Sequence, residues 1–501
     1  VRTKIDSTVA RLASISFGVK VRCDMRSGFH PWLHLILPHA GTVVGFALAV
    51  ILVARIGIDR RPATSAWAWL LAMLLVPWIG VPLFLAFGGR KLRRRAAEKS
   101  KLYRAGRQSG QTTAIERVLA AAGAPPARDA NRCELLTDGQ VTFAHTLEMI
   151  EGARRAIDLA TFILAHDPTG DAVLDALERK ARQRVKVRVL VDAFFAFRAN
   201  HRGLARLRAA GGQVAFFMPI IFRRPFRGHA NLRNHRKLLV ADGELAIAGG
   251  MNLAQEYMGP APLPGRWRDV AVALRGPAVG DIVHVFESDW AFATRQAEPP
   301  PSGELHAAAE GEAEAARDPA ASPQGRVQVV ASGPDTVSDT LYETLLTAIF
   351  EAQRRFAIAT PYFVPDETLM RALLLALHRG VQITIVVPAR SNHWLADLAG
   401  ASYLRDLEAA GARVRPFLPG MLHAKVLLVD DRLAVVGSAN FDMRSLFLDF
   451  ELSLLCSSTG EIGAVERWFE ETLAACAEGL SPAPRRRPVL EGVARLVAPL
   501  V

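Results

Sequence analysis

His423-Ala-Lys425-Val-Leu-Leu-Val-Asp430, followed by Asp-Arg-Leu-Ala-Val-Val and then Gly437-Ser438-Ala-Asn440, means little on its own. The pattern occurs a second time, as His235-Arg-Lys237-Leu-Leu-Val-Ala-Asp242 with Gly249-Gly250-Met-Asn252 behind it at the same spacing. Two copies with identical internal spacing point to a duplicated unit. Each copy reads as strand, turn, strand, with Asp242-Gly243 and Asp430-Asp431 at the turns. Alternate residues of a strand share a face, so His235 and Lys237 point the same way, as do His423 and Lys425. Each strand pair therefore presents an imidazole, an ammonium and, from Asn252 or Asn440, an amide.

The flanking sequence repeats the same order. Ala156–Leu164 reads as a buried strand, Asp171–Arg184 as a helix and Val185–Val191 as a strand. Phe356–Val364, Glu367–Arg379 and Val381–Val387 match them in turn. Strand, helix, strand predicts an α/β fold with largely parallel pairing. The expected lobes span 134–296 and 326–480. Between them, 297–325 is rich in Ala, Glu, Pro and Gly and reads as a flexible linker; 481–501 reads as a tail.

Upstream, 1–31 is basic and reads from its composition as disordered. No Asp, Glu, Lys or Arg occurs from Trp32 to Ala54 or from Ala63 to Gly89. Each run is long enough to cross a hydrocarbon core of about 30 Å as a helix, which predicts a two-helix transmembrane hairpin over 32–89. The basic linker at 90–133 opens with Arg90, Lys91, Arg93, Arg94 and Arg95. By the positive-inside rule this cluster holds the following lobes in the cytoplasm.

The whole chain has 501 residues and a formal net charge of +12, with a mean hydropathy of +0.16. That charge suits a polyanionic partner, either nucleic acid or an anionic membrane surface. The four cysteines form no Cys-x-x-Cys pair, and a lysine two residues from each histidine is a poor neighbour for a metal ion. Two imidazoles supplied symmetrically suit transfer at a phosphodiester. One attacks phosphorus while the other protonates the leaving alkoxide, and the roles then exchange. The lysines and asparagines would hold the non-bridging oxygens. One histidine from each repeat predicts a site between the lobes.

The duplicated motif resembles the phospholipase D superfamily. The N-terminal spans, Trp267-Arg-Asp269, Thr360-Pro-Tyr-Phe-Val-Pro-Asp366, Asn440-Phe-Asp-Met-Arg444-Ser445 and Phe450-Glu451 are similar to bacterial cardiolipin synthases. The resemblance implies two pseudo-twofold-related phospholipase D-like lobes behind a membrane hairpin, and a phosphohistidine intermediate without cofactor or metal. It implies the anionic phospholipid phosphatidylglycerol and the membrane as partners, no nucleic acid, and a multi-pass location in the bacterial inner membrane. The implied reaction joins two phosphatidylglycerol molecules into cardiolipin and glycerol. The alternative is a phospholipase D-type hydrolase, or a phosphatidyltransferase using another lipid or alcohol acceptor. Carried over, His235, Lys237, Asp242, His423, Lys425 and Asp430 form the catalytic set, although Asp242 and Asp430 also suit a turn-fixing role. Asn252 and Asn440 support the phosphate, and Asp269 and Glu451 are candidates for orienting the imidazoles. Gly250 departs from the family's serine, which Ser438 keeps. The two histidines are then not equivalent, and either remains a candidate for the nucleophile.

Overall fold

The computed structural model describes residues 113–218, 232–297 and 325–481, with 99, 101–103 and isolated positions 70, 71, 73, 80, 491 and 494. The hairpin expected at 32–89 lies, those four positions apart, outside the described residues, as do 1–31 and 298–324. Among the described residues no helix is long and apolar enough to cross a membrane.

The first lobe runs α1 (Ala114–Ala121), β1 (Arg128–Leu136), α2 (Gly139–Gly152), β2 (Ala156–Thr161), α3 (Pro168–Arg182), β3 (Lys186–Asp192), α4 (His201–Ala209), β4 (Gln213–Phe217), β5 (Leu238–Ala241), β6 (Leu245–Gly249), β7 (Ala271–Arg275) and α5 (Ala278–Thr294). The second runs β8 (Gly325–Ser332), α6 (Thr340–Glu351), β9 (Arg355–Ala359), β10 (Phe363–Val364), α7 (Glu367–His378), β11 (Gln382–Pro388), α8 (Trp394–Ala409), β12 (Arg413–Phe417), β13 (Val426–Val429), β14 (Leu433–Gly437), β15 (Phe441–Asp442), α9 (Met443–Phe447), β16 (Glu451–Cys456) and α10 (Thr459–Leu473).

One sheet carries both lobes, in the order β12-β11-β9-β13-β14-β16-β8-β1-β7-β6-β5-β2-β3-β4. Read from its centre outward, the order is the same on both sides, and antiparallel β1 and β8 meet at the pseudo-twofold. The expectation of largely parallel pairing needs correction. Within this sheet, β2-β3-β4 and β9-β11-β12 are the parallel pairings among the described residues. The motif hairpins and the strands joining the lobes are antiparallel. Helical crossovers force parallel neighbours, whereas the tight turns at Asp242 and Asp430 force antiparallel ones. The strand expected over Phe356–Val364 also divides, β9 ending before Pro361 and β10 pairing elsewhere with β15, because proline cannot donate to a ladder.

The motif strands are apolar throughout because both faces are covered. In β5, Leu238 and Val240 join the core under α5, while Leu239 and Ala241 join the core under α2 and α3. The first of these cores runs on without a break into the second lobe. Each parallel strand delivers its C-terminal end to the same rim as the start of β5 or β13, where the motif histidines stand.

Candidate active site

His235 and His423 each immediately precede a motif hairpin, and both are buried, 9% and 5% exposed. The lobes meet here through the backbone. His235 N donates to Phe450 O at 2.9 Å, Phe450 N to Arg233 O at 2.9 Å and His423 N to Arg268 O at 2.8 Å. These bonds exchange the orienting carboxylates between lobes. His235 Nδ1 lies 2.9 Å and 3.1 Å from the two carboxylate oxygens of Glu451, in the second lobe. His423 Nδ1 lies 2.6 Å from Asp269 Oδ2, in the first. Neither imidazole uses the carboxylate of its own repeat.

The two carboxylates are seated differently, which accounts for Gly250. Ser438 donates its hydroxyl to Glu451 Oε2 and accepts from Leu452 N at 3.0 Å. Asp269, shorter by one methylene, instead accepts from Val270 N at 2.7 Å. A Cβ on Gly250 would stand 2.2 Å from Asp269 Oδ1, inside any permitted contact. Serine fits under a glutamate; only glycine fits against this aspartate.

Lys237 Nζ donates to the carbonyl of His235 at 2.5 Å. Lys425 Nζ lies 2.8 Å and 3.1 Å from the ring nitrogens of His423 and also donates to that residue's carbonyl. Burial pushes His235 down to about 4 despite Glu451, with Lys237 adding to the fall. Burial and then Lys425 push His423 down to about 3 against Asp269. The ammonium groups also feel the loss of water. Burial brings Lys237 down to about 7 and Lys425 to about 8, against the nearby carboxylates. For Asp269 and Glu451, burial acts upward, but the facing histidine and lysine outweigh it and hold both carboxyls below their ordinary values. In the lipid-free site burial favours the neutral form of both imidazoles, each able to donate Nδ1–H to a carboxylate; Nε2 then faces the chemistry, that of His423 with Lys425 Nζ 3.1 Å away.

Asn252 accepts from Ile163 N at 3.1 Å and bonds the Tyr257 hydroxyl, and Asn440 is buried beside Lys425 and Thr360 in a shared small cavity. Asp242 and Asp430 are not brought to the site. They stand at the far turns, roughly 16 Å along the strand from each lysine, in left-handed conformation at φ 56° and 49°. Asp242 accepts from the backbone N–H groups of Arg154, Arg155 and Ala156. Asp430 accepts from those of Gln353, Arg354 and Arg355. Each carboxylate ties its turn to the start of the neighbouring strand.

Sequence reasoning missed the layer behind the histidines. Arg236, between the motif His and Lys, is fully buried; it contacts Asp289 at 2.6 Å and Asp335 at 3.1 Å, and donates Nε to the Glu451 carbonyl at 3.1 Å. Lys99, in the stretch read as a linker, closes the same cluster at 3.0 Å from Asp289 and 2.6 Å from Asp335. Two cations thus balance two anions, the four drawn from four chain-distant segments. Aromatic rings wall the imidazoles: Phe162 meets His235 edge-on at 4.9 Å, and Tyr257 meets His423 at 5.0 Å. The odd-position charge inside the His-x-Lys motif was the one signal that could have found Arg236. Among the described residues, no group of three His, Cys, Asp or Glu side chains is gathered to hold a metal.

Two docked repeats, each giving one imidazole and borrowing the other's carboxylate, define the phospholipase D class of phosphoryl-transfer proteins. A family model described as "Cardiolipin synthase, PLD-like domain" matches residues 146–290 and 345–473, and one described as "Phospholipase_D-nuclease N-terminal" matches 46–89. Cardiolipin synthase 1 of Bacillus anthracis is 32% identical over 486 residues, 92% of this chain and 92% of the relative. Cardiolipin synthase A of Pseudomonas putida W619 is 33% identical over 489 residues, 92% of this chain and 98% of the relative. The solved phosphatidylserine synthase of Haemophilus influenzae shares the fold, with a TM-score of 0.56 at 17% identity over 82% of this chain and 100% of that one. This chain belongs to the cardiolipin synthase family of the phospholipase D superfamily.

Proposed function

We propose that the protein is a phosphatidyltransferase that joins two phosphatidylglycerol molecules into cardiolipin and releases glycerol. The observation that carries the reading is the pair of buried imidazoles, each bonded through Nδ1 to a carboxylate of the opposite lobe. One imidazole Nε2 attacks the phosphorus of the first lipid and the bond from phosphorus to the glycerol oxygen breaks. The other imidazole enters this step as an imidazolium, its Nε2 proton stabilised by its carboxylate and by the anionic phosphate of the bound lipid, and gives that oxygen the proton. In the second half, a hydroxyl of the second phosphatidylglycerol passes its proton to the same acid-base group and attacks phosphorus, and the N–P bond breaks. His235, Lys237, His423 and Lys425 are the catalytic groups of this reading. Asn252 and Asn440 support the phosphate, and Asp269 and Glu451 stabilise each imidazolium as it forms. Asp242 and Asp430 serve the fold rather than the reaction.

In this reading residues 32–89 form a transmembrane hairpin that tethers the lobes to the cytoplasmic face of the inner membrane. The absence of charge from both runs and the match at 46–89 support it. The test is incubation of the purified chain with phosphatidylglycerol as sole lipid. Cardiolipin and glycerol in equal amounts are expected; phosphatidic acid as the only lipid product would make the protein a hydrolase.

A further inference from the structure

Two loops of the site's rim are apolar where water would favour polar groups. One follows β3, the other follows β11, and these strands hold equivalent places in the two halves of the sheet. In the first, Phe197 is 73% exposed and Phe194 43%; in the second, Trp394 is 75% exposed. The first is joined to the catalytic centre by rings in contact. From His235 the path runs to Phe162, then to Phe195 at 5.0 Å, and from Phe195 to Phe194 at 5.0 Å and Phe197 at 5.9 Å. In the second loop Tyr362 meets His393 at 5.3 Å, and His393 directly precedes Trp394. The loops' charge has one sign. Residues 193–202 and 389–394 contain no Asp or Glu, and Arg202 and Arg390 are exposed; carboxylates close to these stretches are already engaged, Asp397 by Ser391 N at 3.0 Å and Glu256 by Arg198 at 3.2 Å.

Exposed rings interleaved with cations are the chemistry of a surface that seats at the boundary between headgroups and acyl chains of an anionic bilayer. A second copy meeting these loops with the same loops would set arginine against arginine, whereas anionic headgroups pair with them and the acyl region takes the rings. We propose that the Phe194–Phe197 and Trp394 loops dock the active-site mouth into an anionic phospholipid bilayer, so that a lipid headgroup passes to the buried histidines without crossing open water. This deepens the phosphatidyl-transfer reading and rests on it only for the identity of the lipid.

The test uses the full chain reconstituted in phosphatidylglycerol vesicles and the variant Phe197→Ser/Trp394→Ser. Turnover of long-chain lipid in the bilayer should fall about tenfold, the scale expected when two interfacial aromatic side chains are lost. Turnover of dihexanoyl phosphatidylglycerol, offered as dissolved monomers, should be unchanged. Equal losses on both substrates would mean that the loops hold the site together, and no loss on either that the rings meet another protein or a second copy; each result overturns the proposal. A readout independent of turnover is quenching by lipids brominated high in the acyl chains. The fluorescence component lost in Trp394→Phe should be quenched in the unmodified chain, and its insensitivity to bromine would overturn the docking even if the chain made no cardiolipin. Failure of the unmodified chain to make cardiolipin from either substrate, with quenching intact, would overturn the phosphatidyl-transfer reading alone.

Discussion

Glu451→Gln tests the exchange of carboxylates between lobes. Glu451 is fully buried, accepts from His235 Nδ1 and from Ser438, and keeps nearly the same shape as glutamine. In the resting site His235 is neutral, so the charge of Glu451 counts most when an imidazolium forms against it. Removing one partner of a buried pair costs about 3–5 kcal/mol. At about 1.36 kcal/mol per factor of ten, kcat should fall between about 10²- and 10⁴-fold. The KM should hold within a few-fold, since Glu451 does not face the lipid. Release of labelled glycerol from phosphatidylglycerol measures kcat, and thermal denaturation checks that the fold persists. Titration of ¹⁵N-labelled imidazoles adds a second readout. His235 should move further down, because Glu451 raises it, while His423 should stay in place. A kcat within tenfold of the unmodified chain, or a shift at His423 instead of His235, would refute the trans-lobe pairing.

The pH profile follows from the lysines. They hold phosphate oxygens only when charged, so kcat/KM should decline as pH rises through about 7 and again through about 8, where Lys237 and Lys425 lose their protons. Lys237→Arg should move the first decline out of range, and a flat profile to pH 9 in the unmodified chain would contradict the assignment. Lys99→Met leaves Arg236 alone against two buried aspartates and should destabilise the fold by about 3–5 kcal/mol; chemical denaturation of Lys99→Met and of Lys99→Met/Asp335→Asn should show the second partly restored. Asp430→Asn should cost about 1–3 kcal/mol of stability through its three backbone N–H bonds while leaving kcat unchanged. Because the folded Asp430 carboxyl lies below its ordinary value, its contribution is complete above the ordinary carboxylate range and is lost as pH falls through the folded value, which acid denaturation of the variant and the unmodified chain can compare.

The repeated His-x-Lys motif, the strands around it and the identity of the reacting groups were legible because they are local. A strand buried on both faces must be apolar along its length, as Leu238–Ala241 and Val426–Val429 are. Each repeat carries an acidic residue after its motif, so Asp269 and Glu451 could be named as candidates by their order in the chain, although the spacing from the motif histidine differs. Their pairing could not. Nothing local tells whether Glu451 serves His423 or His235, because the answer depends on how two lobes dock across the β1–β8 ladder. The same limit hid Lys99 and Arg236, whose charges make sense only beside Asp289 and Asp335. It also left Asp242 and Asp430 among the catalytic set, since a motif records that residues are kept at a spacing and not which end of a strand they occupy. The sequence by itself determined a duplicated phosphoryl-transfer unit with paired imidazoles and ammonium groups. Only the tertiary structure decided which carboxylate orients which histidine and why glycine stands at 250, because those depend on contacts between groups far apart in the chain that no periodicity encodes.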